Sequence, residues 1–322
     1  MAKPVPFSGD PTDSKGFNRL ALRHLKWMQM INFSRLTIRA RTSQLSAFVA
    51  WCAARKLVRP RQVTRRVLES YQRHIASIRS AATSLHLTTG AQLGHLAAVR
   101  VFFKWLARKR KIKFSPAADM DLPRLEKRLP KIVLGHAQVE HILLLPDIST
   151  PLGLRDRAML EAFYSTGLRR SELISVKLNE LYSQRNLLIV NQSKGHKDRV
   201  VPIGARALRW INRYLTEARP ILVGRKKREH LFISRTGEAL SPSGASILVR
   251  EYLDKAGIHT RGACHMFRHS MATAMLENGA DIRYIQEMLG HADLKTTQIY
   301  THVNPYKLRE IHAATHPARD VA

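Results

Sequence analysis

Apolar residues recur at helical spacing through the first third of the chain. Leu45, Phe48, Val49 and Cys52 fall at i, i+3, i+4 and i+7, the stripe of an amphipathic helix. Trp51 widens that stripe, while Arg35, Arg39, Arg41 and Arg55 lie mostly off it. A second pattern covers about residues 91–107, with Leu96, Val99, Phe103 and Leu106 on its buried side. Between the two, residues 63–78 read as a helix with Val67, Tyr71, His74 and Ile75 roughly on one face. No strand pattern interrupts this region, so residues 17–115 read as a small all-helical domain. Residues 1–16, rich in Pro, Gly, Ser and Asp, are expected to lack fixed structure.

Residues 116–133 have the character of a linker. Prolines at 116, 123 and 130 remove backbone donors and disfavour helix at the residues before them. The pattern is mixed over 134–304. Residues 138–145 and 154–164 are helical, Ser165-Thr166-Gly167 breaks the run, and a further helix opens near Arg169. Residues 187–190 and 199–203 are short β-branched or aliphatic runs flanking the turn-like Ser193-Lys194-Gly195-His196-Lys197-Asp198, which predicts a β-hairpin with a basic tip. Residues 231–234 are expected to add a third strand, ended by Arg235-Thr236-Gly237. From Ser243 the chain is helical again, with breaks at Gly257, Gly279 and Gly290. Pro305 then opens a tail helix over 305–322, with Tyr306, Leu308 and Ile311 as a short apolar face. The expected fold is mainly α with a small β-sheet.

Composition narrows the function. A chain of 322 residues suits two cores rather than one, since single cores split beyond roughly 250 residues. The 54 Lys and Arg against 24 Asp and Glu give a formal charge of +30, an electrostatic footprint for a polyanion. Nucleic acid is the first candidate and an acidic membrane face the second. No apolar run approaches the roughly 18 residues that span a bilayer, and the start lacks a signal peptide's apolar centre. Two cysteines, Cys52 and Cys264, cannot make a disulfide framework, which favours a reducing compartment. The expected location is the cytoplasm, in association with the nucleoid.

Six polar residues at or near predicted element ends carry useful chemistry. Arg169 lies in STGLRRSEL, Lys194 in QSKGHKDR, His265 and Arg268 in CHMFRH, His291 in MLGH and Tyr300 in TTQIYTH. His265 and Arg268, three apart, share a helix face. Together these residue types suit nucleophilic attack on a phosphodiester. Two guanidiniums can grip non-bridging oxygens in forked geometry while charge develops at phosphorus. A Tyr hydroxyl is a nucleophile that leaves a covalent intermediate, and a Lys can protonate the departing oxygen. No carboxylate cluster is present to hold a metal, and no cofactor is expected. Taken singly, each residue has a blander reading: solvated arginines, a basic hairpin tip, structural histidines, a half-buried tyrosine. His265 and His269 lack the glutamate of an HExxH zinc site, and Cys264 reads as a buried small residue.

The order of these motifs resembles the tyrosine recombinases of the phage integrase family, most closely the Xer-type bacterial members. TGLRRSEL is similar to the family's first-arginine box, SKGHKDRVVPI to its catalytic hairpin, and HMFRHSMATAMLENGADIRYIQEMLGHADLKTTQIYTHV to its second box. FSRLTIRARTSQLSAFVAWC and AAVRVFFKWL look like the family's helical core-binding domain. Ser193 stands where the hairpin box usually has Gly, and Phe267 where Leu is typical; neither removes a functional atom. The resemblance implies a DNA-clamping domain over 17–115 and an α+β catalytic domain over 134–304. It assigns Arg169, Lys194, His265, Arg268 and His291 to the phosphate site and Tyr300 as nucleophile, without metal or ATP. Lys194 is then the general acid, His265 an acid or base, and His291 a hydrogen-bond donor to the phosphate.

The implied partner is double-stranded DNA at a specific site, held by a homotetramer, or a heterotetramer with a second recombinase, with room for an accessory protein and no part for a membrane. The tail helix is implied to dock into a neighbouring subunit; its alternative is packing on its own domain. Arg35, Arg39, Arg41 and Arg100 are expected to contact phosphates, which gives affinity rather than sequence choice. Arg225-Lys226-Lys227-Arg228 reads as a solvated loop. Two other functions compete: a type IB topoisomerase, which uses a similar constellation, and a non-catalytic DNA-binding regulator of the same fold.

Overall fold

A computed structural model describes residues 7–79, 84–124, 133–191, 198–224, 226–259 and 262–290. The chain separates into two compact units, Met1–Lys127 and Arg128–Ala322.

The first unit is built from α1 (Phe17–Met30), α2 (Arg35–Ala53), α3 (Arg65–Ser77) and α4 (Thr89–Arg108). Ser34, Thr64 and Thr88 cap the last three, each accepting a bond from a backbone N–H three residues on. The predicted stripes of α2 and α4 are the buried ones, with Leu45, Phe48, Cys52, Val99, Phe103 and Leu106 all closed to solvent. Phe48 meets Phe17, Tyr71 and Phe103 edge to face at centroid distances of 5.8, 4.8 and 6.0 Å, the arrangement aromatic quadrupoles favour. On α3 the buried residues are Tyr71 and Ile75, as expected, with Leu68 in place of Val67, which is only partly covered. Residues 7–16, expected to lack fixed structure, pack against α1 instead. Phe7 is buried, the Asn18 amide donates to the carbonyls of Phe7 (2.6 Å) and Gly9 (3.2 Å), and Arg59 pairs with Asp13 at 2.9 Å.

The second unit surrounds α6 (Pro151–Thr166), which is buried along most of its length. Around it lie α5 (His136–Leu144), α8 (Ala205–Arg213), α10 (Pro242–Lys255) and α11 (Ala263–Glu277), with the short α7 (Arg170–Ser175), α9 (Arg219–Val223) and α12 (Ile282–Leu289). Charges carried into this core are compensated. Arg157 and Arg206 share Glu161, and Arg206 reaches on to Glu140; Asp156 is held by Arg155 and the Tyr252 hydroxyl. One π turn, Tyr214–Ala218, joins α8 to α9. Pro220, which has no N–H to continue the ladder, accounts for it.

The sheet is antiparallel in the order β1 (Leu181–Tyr182), β2 (Leu187–Val190), β3 (Arg199–Pro202). In the β2–β3 pair Leu188 opposes Val201 and Val190 opposes Arg199, as a hairpin across 191–198 requires. The third strand is not at 231–234, as the apolar run had indicated, but at Leu181–Tyr182. Residues 231–233 are buried, yet their polar groups go mainly to side chains. The Leu231 carbonyl accepts from the Tyr214 hydroxyl and Arg219, the Tyr214 hydroxyl accepts from the Ile233 N–H, and the Ile233 carbonyl accepts from Arg155. Only isolated bridges, Lys177 with His230 and Ile233 with Ala239, remain. Within the basic run at 225–228, Lys226 and Arg228 fold back onto Glu238.

Candidate active site

Two left-handed turns build the site. Gly167, at φ +59°, ends α6, and Gly290, at φ +63°, ends α12. Glycine reaches this region without a Cβ penalty. Both turns are tightly packed: a Cβ on Gly167 would displace the Met271 methyl, 2.0 Å away, and one on Gly290 would press on the Arg199 guanidinium at 3.0 Å. The turn at Gly167 releases its own carbonyl toward α11, and α7 starts three residues later.

Arg169 is the N-cap residue of α7, and Glu172 reaches back to it as the third residue of the helix. Glu172 Oε2 accepts from the Arg169 backbone N–H at 2.9 Å, and Oε1 from Arg169 Nη1 at 2.7 Å. Arg199, the first residue of β3, forks onto the same carboxylate, with Nη1 to Oε1 at 3.1 Å and Nη2 to Oε2 at 2.8 Å. Arg268 on α11 is buried and donates from Nη1 to the Gly167 carbonyl at 2.7 Å.

All three guanidiniums also end on the last turn of α12. Arg199 Nε donates to the Met288 carbonyl at 3.2 Å, Arg268 Nη2 to Leu289 at 2.8 Å, and Arg169 Nη2 to Gly290 at 3.1 Å. The final carbonyls of a helix have no intrahelical partner and carry its negative pole, so three successive acceptors gather three cations. The residue that follows is His291. Against the three guanidiniums stands one carboxylate, Glu172, leaving a formal surplus of 3 − 1 = 2 positive charges. Burial alone would raise the Glu172 carboxyl. The hydrogen bonds and charge of Arg199, with backbone and side-chain hydrogen bonds from Arg169, outweigh that and hold it at about 2.

His265 lies on the exposed side of α11. Lost hydration, then the charges of Arg268, Arg170 and Arg169, keep its imidazole below the ordinary value, so it is neutral at pH 7 and can accept a proton. The structure therefore brings Arg169 and Arg268 together and sets His265 within the field of both. Lys194, His291 and Tyr300 lie outside the described residues. In the first unit Arg35, Arg39 and Arg100 are exposed, whereas Arg41 is half-buried and donates to Gln44 and the Gly94 carbonyl. Lys104 and Arg108 extend the exposed row from Arg100 at successive helical turns, a period the sequence already displays. Glu172 and Arg199 are the site residues the motif reading passed over, although both stand inside the motifs it used. Cys264 is buried, with its thiol pushed up by that burial. Among the described residues no group of three His, Cys, Asp or Glu could hold a metal. A surface cavity of about 740 Å³ near Leu152, Arg235 and Ile247 shares no lining residue with the arginine cluster.

A model of the phage integrase family matches residues 133–307, the span that contains all six candidate residues. Over 310 residues the chain is 48% identical to the tyrosine recombinase XerC 2 of Ralstonia nicotianae, covering 96% of this chain and 89% of the relative. The chain belongs to the phage integrase family. A second relative, the tyrosine recombinase XerD of Lacticaseibacillus casei, is 36% identical over 285 residues, covering 86% of this chain and 93% of that protein. In fold this integrase-family chain is similar to the XerH site-specific recombinase, solved bound to its palindromic difH substrate, with a TM-score of 0.70 at 21% identity over 92% of this chain and 84% of that one. As a member of the family it is a tyrosine-type site-specific DNA recombinase. No described helix is long and apolar enough to cross a membrane.

Proposed function

We propose that Arg169, Lys194, His265, Arg268 and His291 surround one scissile DNA phosphate and that Tyr300 attacks it. The observation that carries this reading is the convergence of Arg169 and Arg268 on consecutive carbonyls at the end of α12, one residue before His291. The Tyr300 oxygen bonds to phosphorus as the bond to the 5′-oxygen breaks. Its proton passes to a base, for which neutral His265 is suited, and Lys194 protonates the leaving 5′-oxygen. The two guanidiniums neutralise charge on the non-bridging oxygens as it grows. The product is a 3′-phosphotyrosyl link and a free 5′-hydroxyl. A 5′-hydroxyl from a partner duplex then attacks that link and releases Tyr300, and two such exchanges pass through a Holliday junction. The ester conserves the energy of the broken bond, so ATP has no part.

The first unit binds duplex DNA through Arg35, Arg39, Arg100 and the row that continues to Lys104 and Arg108. The working assembly is a tetramer on two duplexes, with residues 305–322 passed to a neighbouring subunit, and it acts in the cytoplasm on integration, excision or resolution of DNA. The test uses a nicked suicide duplex carrying a candidate site, chosen from any inverted repeats found near the coding region, assayed for protein–DNA adducts that survive denaturation. Wild type gives an adduct and Tyr300→Phe gives none; an adduct in the variant reassigns the nucleophile. Efficient relaxation of a plasmid lacking any special site would point to a topoisomerase instead.

A further inference from the structure

The mechanism above leaves one buried cation of the cluster without a role. Arg199 begins β3, and its side chain is only 11% exposed. It shares a strand face with the buried Val201. Each of its three nitrogens donates: two to the oxygens of Glu172 and Nε to the Met288 carbonyl. Gly290 closes against the same guanidinium, so that a Cβ there would stand 3.0 Å from it and could be seated only by shifting it. Arg199 therefore touches both structures that hold Arg169, namely the Glu172 carboxylate and the last turn of α12.

We infer that Arg199 is a positioning residue for Arg169, holding Glu172 and the end of α12 in place so that the Arg169 guanidinium faces the scissile phosphate. The inference rests on the reading that Arg169 binds that phosphate. Its physical basis is a contest for one carboxylate. If Arg169 were the sole cation on a buried Glu172, the pair would close into a neutral unit with little charge left for DNA. A second guanidinium on the same carboxylate keeps the cluster positive. Its fork meets both oxygens at once, which fixes the plane of the carboxylate as well as its charge. A lysine offers a single point charge and cannot fix that plane. Arg199 also follows Lys194 by five residues, so the same contact ties the strand leaving the hairpin to the arginine cluster.

The test measures adduct formation on the nicked duplex described above, made once with the ordinary phosphodiester and once with a methylphosphonate at the scissile position. The methyl group removes the negative charge of a non-bridging oxygen. Demand for a guanidinium falls, while demand for the nucleophile and the general acid remains. Arg199→Ala is expected to slow adduct formation on the phosphodiester on the order of 10–100-fold, by analogy with the loss of groups that orient metal ligands, with DNA binding unchanged. On the methylphosphonate the loss shrinks, in the same sense as for Arg169→Ala, and Arg199→Lys falls between wild type and Arg199→Ala. Equal slowing on both substrates, as a general loosening of the fold would give, overturns the proposal; so does an absence of slowing. If Arg169→Ala itself shows no shrinkage, the reading of Arg169 as phosphate ligand falls, and this proposal with it. Should Arg199→Ala fail to fold, Arg199→Lys and Glu172→Gln report the same ratio.

Discussion

Acid exposes a weak point in the core of the first unit. His24 is fully buried, with ring centroids 5.0 Å from Trp105, 5.5 Å from Phe102 and 5.6 Å from Trp27. Neither ring nitrogen meets a hydrogen-bond partner among the described residues. Desolvation, aided by the charge of Arg41, holds the imidazole down at about 4. In the unfolded chain it returns to about 6.5. Below that pH the unfolded chain binds a proton that the folded chain refuses, so stability is lost as pH falls from 6.5 to about 4, and the loss levels off below. At about 1.4 kcal/mol per pH unit the interval is worth about 3 kcal/mol, a large share of the roughly 5–15 kcal/mol that holds a domain folded. His24→Phe keeps an aromatic body in the Trp27–Phe102–Trp105 cage and removes the titrating group. The variant should match or exceed wild type near pH 7.5, where it no longer buries unpaired polar atoms, and its advantage should widen by about 3 kcal/mol as the pH approaches 4. Urea unfolding at a series of pH values, followed by tryptophan fluorescence, reads the effect, because Trp27, Trp51 and Trp105 lie in the first unit and only Trp210 in the second. A difference between the two proteins that stays flat from pH 7.5 to 4 would refute the buried neutral imidazole.

Gly290→Ala places a Cβ at φ +63° against the Arg199 guanidinium; strain of about 1–2 kcal/mol should lower the melting temperature by a few degrees and slow cleavage, and cleavage at the wild-type rate would contradict the packing described. Lys194→Ala should lose far more rate on an ordinary 5′-oxygen than on a 5′-bridging sulfur, which departs without a proton; equal losses would remove the general-acid role. Deleting residues 305–322 should leave single-site binding intact and weaken synapsis and coupled strand exchange, measured separately; unchanged exchange would defeat the passage of the tail between subunits.

Much of the architecture is local enough to read along the chain. The stripe through Leu45, Phe48, Val49 and Cys52 is buried because a helical repeat puts those positions on one side whatever they pack against. The hairpin strands at 187–190 and 199–202 follow from short apolar runs around a turn. The breaks at Gly167 and Gly290 follow from the residue that tolerates a left-handed turn. The motif order likewise pointed to Arg169, His265 and Arg268 before any of them had a position in space.

Other features depended on which segments met. Residues 231–233 have the apolar character of a strand, but Tyr214, Arg219 and Arg155 claim the Leu231 carbonyl and both backbone groups of Ile233, so only isolated bridges form there. The burial of Leu68 in place of Val67, beside Tyr71 and Ile75 on α3, was decided by the helices around it. The same holds at the site. Glu172 and Arg199 are 27 positions apart, and nothing in their spacing pairs them. The carbonyls of Met288, Leu289 and Gly290 are chemically like every other carbonyl in the chain. What distinguishes them is the end of a helix brought up against three arginines from α7, β3 and α11. Side-chain chemistry is written residue by residue, whereas a backbone acceptor gains its role only when folding leaves it unpaired and places a cation beside it.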